Sequence, residues 1–303
     1  MTRIYKQITN VLILLFILGL GCFLFFFLKH PELEKEERNW ITIPVSFFPF
    51  HREPLIQVEI EGKKYTLLID TGSPHHLDLH KRVLEKLHHK EFIRVENYYD
   101  LKGNRYLINV FRAPPIKFCE HLEIDGLFAC EESIDFLTTG IKIQKATSLF
   151  GKFKEQFRLF WIDGRISCSS FKRAVPYFDF RHRCLYLAKD LNVLQEEGIF
   201  HPNDFIALPF TLCRSGPVIS IETEFGEKRF LIDSGASHSV FMEPTDSSLT
   251  LKIGGLNFGS WHFFSWPLSP DFKIEHDGIL GVDFFKKHAI CLNFQEGIVY
   301  IQK

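Results

Sequence analysis

Net charge is almost absent from this chain: 36 basic residues are set against 37 acidic ones over 303 positions. With no excess of either sign there is no footprint for a polyanion, so no nucleic-acid partner is expected. Cysteine is sparse too, with seven residues at 22, 119, 130, 168, 184, 213 and 291 and none in C-x-x-C spacing. That pattern excludes a zinc ribbon, and no metal or cofactor is expected. Cys119–Cys130 and Cys168–Cys184 are the nearest pairs for a disulfide, with buried thiols the favoured reading. Methionine is nearly missing, at two residues against 33 phenylalanines, which points to an aromatic-rich core. Also lacking is a small-x-small cleavage motif after the N-terminal apolar segment, which favours an uncleaved anchor over the competing reading, a cleaved signal peptide.

That segment is the one long hydrophobic run. Val11 to Leu28 is uncharged over 18 residues, long enough as a helix to span a bilayer. Arg3 and Lys6 precede it and a net acidic stretch follows, so the positive-inside rule puts residues 1–10 in the cytoplasm. The expected arrangement is a transmembrane signal-anchor at 11–28, a linker at 29–42, and the remainder outside the cytoplasm (periplasmic or extracellular). A lipid bilayer is then a partner through one helix.

The remainder contains a duplication. Residues 54–77 and 217–240 align without a gap at an offset of 163, with nine identities in 24 positions. Residues 163–187 and 277–301 align at an offset of 114, so the first half carries 49 residues more between its two segments. Leu55 to Ile60 and Val218 to Thr223 alternate apolar with polar, the period of half-buried strands. Turns at Glu61-Gly62 and Phe225-Gly226 lead to return strands that end on Asp70 and Asp233. Arg82 to Lys90 reads as a short helix, and Lys189 to Gly198 as the connector between halves.

Two carboxylates facing each other across a pseudo-two-fold axis cannot both ionise cheaply, so they share one proton over a working range. Such a pair can take a proton from water and give one to a carbonyl oxygen, which hydrolyses an amide without a covalent intermediate. The segments Leu67-Leu68-Ile69-Asp70-Thr71-Gly72-Ser73 and Phe230-Leu231-Ile232-Asp233-Ser234-Gly235-Ala236 resemble the paired motifs of pepsin-like and retropepsin-like aspartic peptidases. Gly278-Ile279-Leu280-Gly281 resembles the element that packs beneath the catalytic loop in that family.

The resemblance implies an all-β, bilobal acid-protease fold with lobes at 43–195 and 196–303 and the dyad on the floor of the cleft. It implies that Asp70 and Asp233 are catalytic, and that Thr71 and Ser234 cross-link the loops through their hydroxyls. Gly72 and Gly235 would let amides approach the carboxylates, and Ser73 would bond the outer oxygen of Asp70. The substrate would be an extended polypeptide held beneath a flap, for which Tyr98, Tyr99 and Gly103 are candidates. No dimer is required, since both aspartates lie in one chain.

Two departures stand out. Ala236 has no hydroxyl to match Ser73. The first-half counterpart of the packing element reads Arg165-Ile166-Ser167, with an arginine where Ile279 stands and no glycine; Asp125-Gly126-Leu127-Phe128 is a poorer candidate for it. His75 and His238 fall at equivalent repeat positions and read as solvent-facing loop residues, as does the pair His88-His89 on a helix face. Trp261 and Trp266 read as core. The alternative functions are a catalytically silent peptide-binding module of the same fold and a structural envelope protein.

Overall fold

The computed structural model describes residues 39–47, 52–99, 105–119, 122–132, 161–242, 248–265 and 275–303. The apolar run at 11–28, Gly103 and Trp266 lie outside them. Among the described residues no helix is long and apolar enough to cross a membrane, and the longest, Leu191–Glu196, has six residues. The architecture is all-β, and the described residues form three sheets of ten, eight and six strands.

Each half builds one large sheet from the same hairpin. Pro54–Ile60 pairs antiparallel with Lys63–Ile69, and Gly216–Thr223 with Gly226–Ile232. In the first hairpin Glu61 and Gly62 both take positive φ, of 50° and 74°, the conformation a two-residue hairpin turn demands. A third strand then lies parallel to the return strand. Gly164, Arg165 and Ile166 pair with Leu67, Leu68 and Ile69; Gly278, Ile279 and Leu280 pair with Phe230, Leu231 and Ile232. Arg165-Ile166 is thus the counterpart of Ile279-Leu280, whereas Phe128–Glu132 is placed elsewhere, between Arg105–Arg112 and Leu77–His80.

The six-stranded sheet joins the halves, and its order is symmetric. Trp40–Pro44, Cys184–Ala188 and Val175–Asp179 are followed by Ile290–Asn293, Ile298–Gln302 and Phe205–Pro209. At its centre Tyr177 pairs with Cys291, which is its own counterpart at the offset of 114. The pseudo-two-fold axis therefore passes between these two residues.

Burial explains why the sheets assemble. The phenylalanine excess goes inside: Phe171, Phe178, Phe180, Phe230, Phe284 and Phe285 are fully buried. Phe180 stacks on Phe285 at 5.2 Å, so aromatic rings from both halves fill one continuous core. Trp261 joins it, 5.1 Å from Phe284.

Some expectations fail locally. The helix expected over Arg82 to Lys90 is a single turn, Lys81–Leu84, followed by irregular chain in which Glu61 accepts the amides of His88 and His89. Those histidines therefore sit on a loop that caps a carboxylate, not on a helix face. Lys189 to Gly198 does contain a helix, capped by Asp190 accepting from the Val193 amide. Cys130 and Cys168 are free thiols, so neither proposed disulfide forms.

Candidate active site

Asp70 and Asp233 each end a buried apolar strand, and each is pinned by the third strand of its sheet. The Asp70 amide donates to Ile166 O at 2.9 Å and the Asp233 amide to Leu280 O at 3.0 Å. The two loops exchange hydrogen bonds through their hydroxyls. Thr71 Oγ1 donates to Ile232 O at 2.7 Å and accepts from the Ser234 amide at 2.8 Å. Ser234 Oγ donates to Ile69 O at 2.8 Å and accepts from the Thr71 amide at 3.1 Å. Both side chains are inaccessible to water, so these four bonds fix one half against the other.

The glycines work across the axis. The Gly72 amide donates to Asp70 Oδ1 at 3.1 Å and the Gly235 amide to Asp233 Oδ1 at 2.8 Å. A Cβ at Gly72 would sit 2.5 Å from Cγ of Asp233, and one at Gly235 2.4 Å from Oδ1 of Asp70. Only glycine lets each loop lie against the opposite carboxyl. Burial, the Asp70 charge and a hydrogen bond from Asp70 together push Asp233 up to about 8. The pair therefore gives up its last proton reluctantly.

The outer oxygen of Asp70 is where the sequence expectation breaks. Ser73 Oγ donates to Asp78 Oδ2 at 2.6 Å and not to Asp70. Arg165 takes that place: Nη1 donates to Asp70 Oδ2 at 3.0 Å while Nη2 lies 3.2 Å from Asp78 Oδ2. His75 closes the group with Nδ1 at 2.9 Å from Asp78 Oδ1, and its Nε2 lies 3.9 Å from Glu96. Burial alone would raise Asp78, but Arg165, His75 and Ser73 outweigh it and hold the carboxyl down at about 2. His75 is accordingly a half-buried partner of Asp78, with a side chain 14% exposed, and not a solvent-facing loop residue.

Strand register explains the difference between halves. Arg165 lies directly opposite Asp78, but its counterpart Ile279 lies opposite Val240. The first loop is thus one residue longer than the second, counting eight from Asp70 to Asp78 and seven from Asp233 to Val240. The gapless repeat ends inside the loop, and His238 corresponds to His76, not to His75. Consistently, Ser167 N bonds the His76 carbonyl, while a Cβ on Gly281 would meet the His238 carbonyl at 2.6 Å. In the second half Ile279 and Val240 pack with Val218 and Leu231. An ion pair in one half stands where an apolar pair stands in the other.

Support beneath the second loop is as expected. Gly278, Ile279, Leu280 and Gly281 are buried, Gly281 N donates to Ser239 Oγ at 3.0 Å, and Val282 N donates to Ala236 O at 2.8 Å. In the first half Ser167 is accommodated without a glycine, and the Cys168 thiol reaches Thr71 O at 3.3 Å. The hairpin suggested as a flap exists: Tyr98 pairs with Tyr106 and Tyr99 with Arg105. Its strands leave Phe92, Val95 and Leu107 exposed, and its Glu96 approaches His75. Arg165, Asp78 and Glu96 are the site residues that sequence reasoning missed as a group. The one available signal was an arginine in an otherwise apolar strand.

No protein-family model and no curated protein matches the sequence. Solved structures do resemble it. Conglutin gamma, a basic 7S globulin from lupine seeds, aligns with a TM-score of 0.55 and 9% identity over 88% of this chain and 95% of its own. The basic 7S globulin from soybean gives 0.54, again at 9% identity, over 88% and 95%. Both carry the name of basic 7S globulins, and at such identity the likeness is one of fold alone. What this chain shares with them is the two-lobed, all-β architecture.

Proposed function

We propose that this chain is an aspartic-type endopeptidase that hydrolyses extended polypeptides with a water held between Asp70 and Asp233. The observation that carries the reading is the hydroxyl exchange between Thr71 and Ser234, which sets the two carboxyls against one another with one proton between them. Asp70 takes a proton from the water as its oxygen attacks the peptide carbon. Asp233 gives its proton to the carbonyl oxygen, forming a neutral diol. When the carbon–nitrogen bond breaks, the proton on Asp70 passes to the leaving amine and a diol proton returns to Asp233. Arg165 does not preclude this, because each oxygen of Asp70 has a second lone pair beyond the one given to Gly72 or Arg165. The hairpin Glu91–Arg112, with its exposed apolar residues, would cover the substrate. Anchoring through residues 11–28 would restrict cleavage to proteins at the outer face of a membrane.

A second reading has specific support: the same cleft binds peptide without turning it over. Arg165 holds an Asp70 oxygen, and the similar solved structures are named as globulins; the comparisons lie nearer this reading than the first. The test uses full-length protein in detergent, a peptide library, and pH from 3 to 8. Cleavage by wild type that disappears in both Asp70→Asn and Asp233→Asn is the expected result. Cleavage surviving both substitutions refutes the dyad. Capture of peptides without cleavage by wild type would establish the silent module.

A further inference from the structure

We propose that Arg165 and Asp78 form a built-in charge pair that makes Arg165 the positioning residue of the dyad, assigning the ionised role to Asp70 and the proton to Asp233. The proposal deepens the peptidase reading, although the proton assignment itself stands whether or not peptides are turned over.

The geometry argues against drift in the first half. Loss of function by accumulation would leave an unmatched charge in an apolar slot, a costly arrangement. Here the two halves differ at both members of the cross-strand pair: Ile279 faces Val240 in one, and Arg165 faces Asp78 in the other. The guanidinium is forked between two carboxylates at 3.0 and 3.2 Å with its side chain 16% exposed. Ser73 and His75 then satisfy the remaining positions on Asp78. The whole group is organised so that one arginine proton points at Asp70 Oδ2. At the place of Arg165 the second half has Ile279, an apolar residue that offers Asp233 no cation.

Other charged or titratable groups face the pair from each packed element. Cys130 lies on the strand Phe128–Glu132, next to Asp78 in register. Glu96 stands behind His75, with Arg94 beside Glu96 on the same strand. Cys168 and Lys172 lie at the 3-10 turn that follows Ile166. Burial keeps both thiols neutral, Cys168 pushed up to about 12 and Cys130 pushed up as well. Across the axis stands Asp233 itself. Among these groups Arg165 is the one bonded directly to Asp70.

The decisive variant is Arg165→Ile with Asp78→Val, which copies the apolar pair of the second half and so removes both charges of the Arg165–Asp78 pair at once. Carbon-13 carboxyl titration of aspartate-labelled full-length protein, assigned with Asp70→Asn and Asp233→Asn, reads the pair directly. The expected result is that the first proton loss of the dyad moves up by about 1–3 pH units in the double variant, the effect of removing a guanidinium from a carboxylate. Arg165→Lys, which keeps the charge, is expected to stay close to wild type. If peptides are cleaved, the acid limb of kcat/KM moves upward by the same amount, a shift that a merely structural role would not produce. An unchanged titration in the folded double variant overturns the proposal. So does a wild-type titration in which Asp70, not Asp233, holds the proton at pH 7. Absence of cleavage in wild type would count against the peptidase reading alone, since the titration decides the proton assignment without it.

Discussion

Thr71→Val removes one hydroxyl while keeping the shape of the side chain, so its cost can be worked out from the bonds it breaks. Thr71 Oγ1 donates to Ile232 O and accepts from Ser234 N, and both partners lie in a water-free contact between the loops. Each buried backbone group left unpaired costs about 1–3 kcal/mol, giving about 2–6 kcal/mol before relaxation. Removing the buried hydroxyl itself offsets roughly 1 kcal/mol, so a loss of about 1–5 kcal/mol is expected. That is a large part of the 5–15 kcal/mol typical of a folded domain. Ser234→Ala breaks the reciprocal bonds to Ile69 O and Thr71 N and should cost a similar amount. The double variant should cost less than the sum, because a loop loosened by one change has already lost alignment for the other. Urea unfolding of full-length protein in detergent, with Thr71→Ser as the control that keeps the hydroxyl, measures all four. A cost below about 0.5 kcal/mol for either single variant, or strict additivity in the double, would refute the claim that these hydroxyls lock the halves together.

Gly72→Ala and Gly235→Ala should each abolish binding of hydroxyl-bearing transition-state mimics, since the added methyl lies within 2.5 Å of the opposite carboxyl; thermal shift reads this, and retained binding would mean that the loops separate freely. Stability should peak near pH 4. The depressed Asp78 contributes about 2 kcal/mol that is present above its unfolded value near 3.8 and lost as pH falls toward 2. The raised Asp233 acts in the opposite sense: folding takes up a proton between about 4 and 8, so stability declines as pH rises through that window. Urea midpoints across pH 2–8 should lose the acid-side fall in Asp78→Asn and the alkaline-side fall in Asp233→Asn. Phe285→Ala should cost about 3–5 kcal/mol, because its ring packs against Phe178 and Phe180 across the junction between halves; a cost under 1 kcal/mol would show that the junction re-forms around the cavity.

Much of this protein was written locally. The two hairpins, the turns between their strands and the aspartates that end them follow from alternation and glycine placement. Offsets of 163 and 114 reproduce the pairing of Asp70 with Asp233 and of Tyr177 with Cys291. Local patterning suffices there because strand period and turn chemistry act over a few residues.

What only the tertiary structure decided is which face each side chain takes once the strands are paired. One extra residue in the first loop shifts the register against Gly164–Ile166, and a one-residue slip turns every following side chain to the other face of the sheet. That slip carries Asp78 to Arg165, gives Ser73 and the half-buried His75 a carboxylate partner, and leaves His76 as the counterpart of His238. From sequence alone Arg165 is an intruder beneath the loop that carries Asp70. In the folded chain it is a cation bonded to one of the two aspartates, because long-range pairing, not spacing along the chain, determines what faces the dyad.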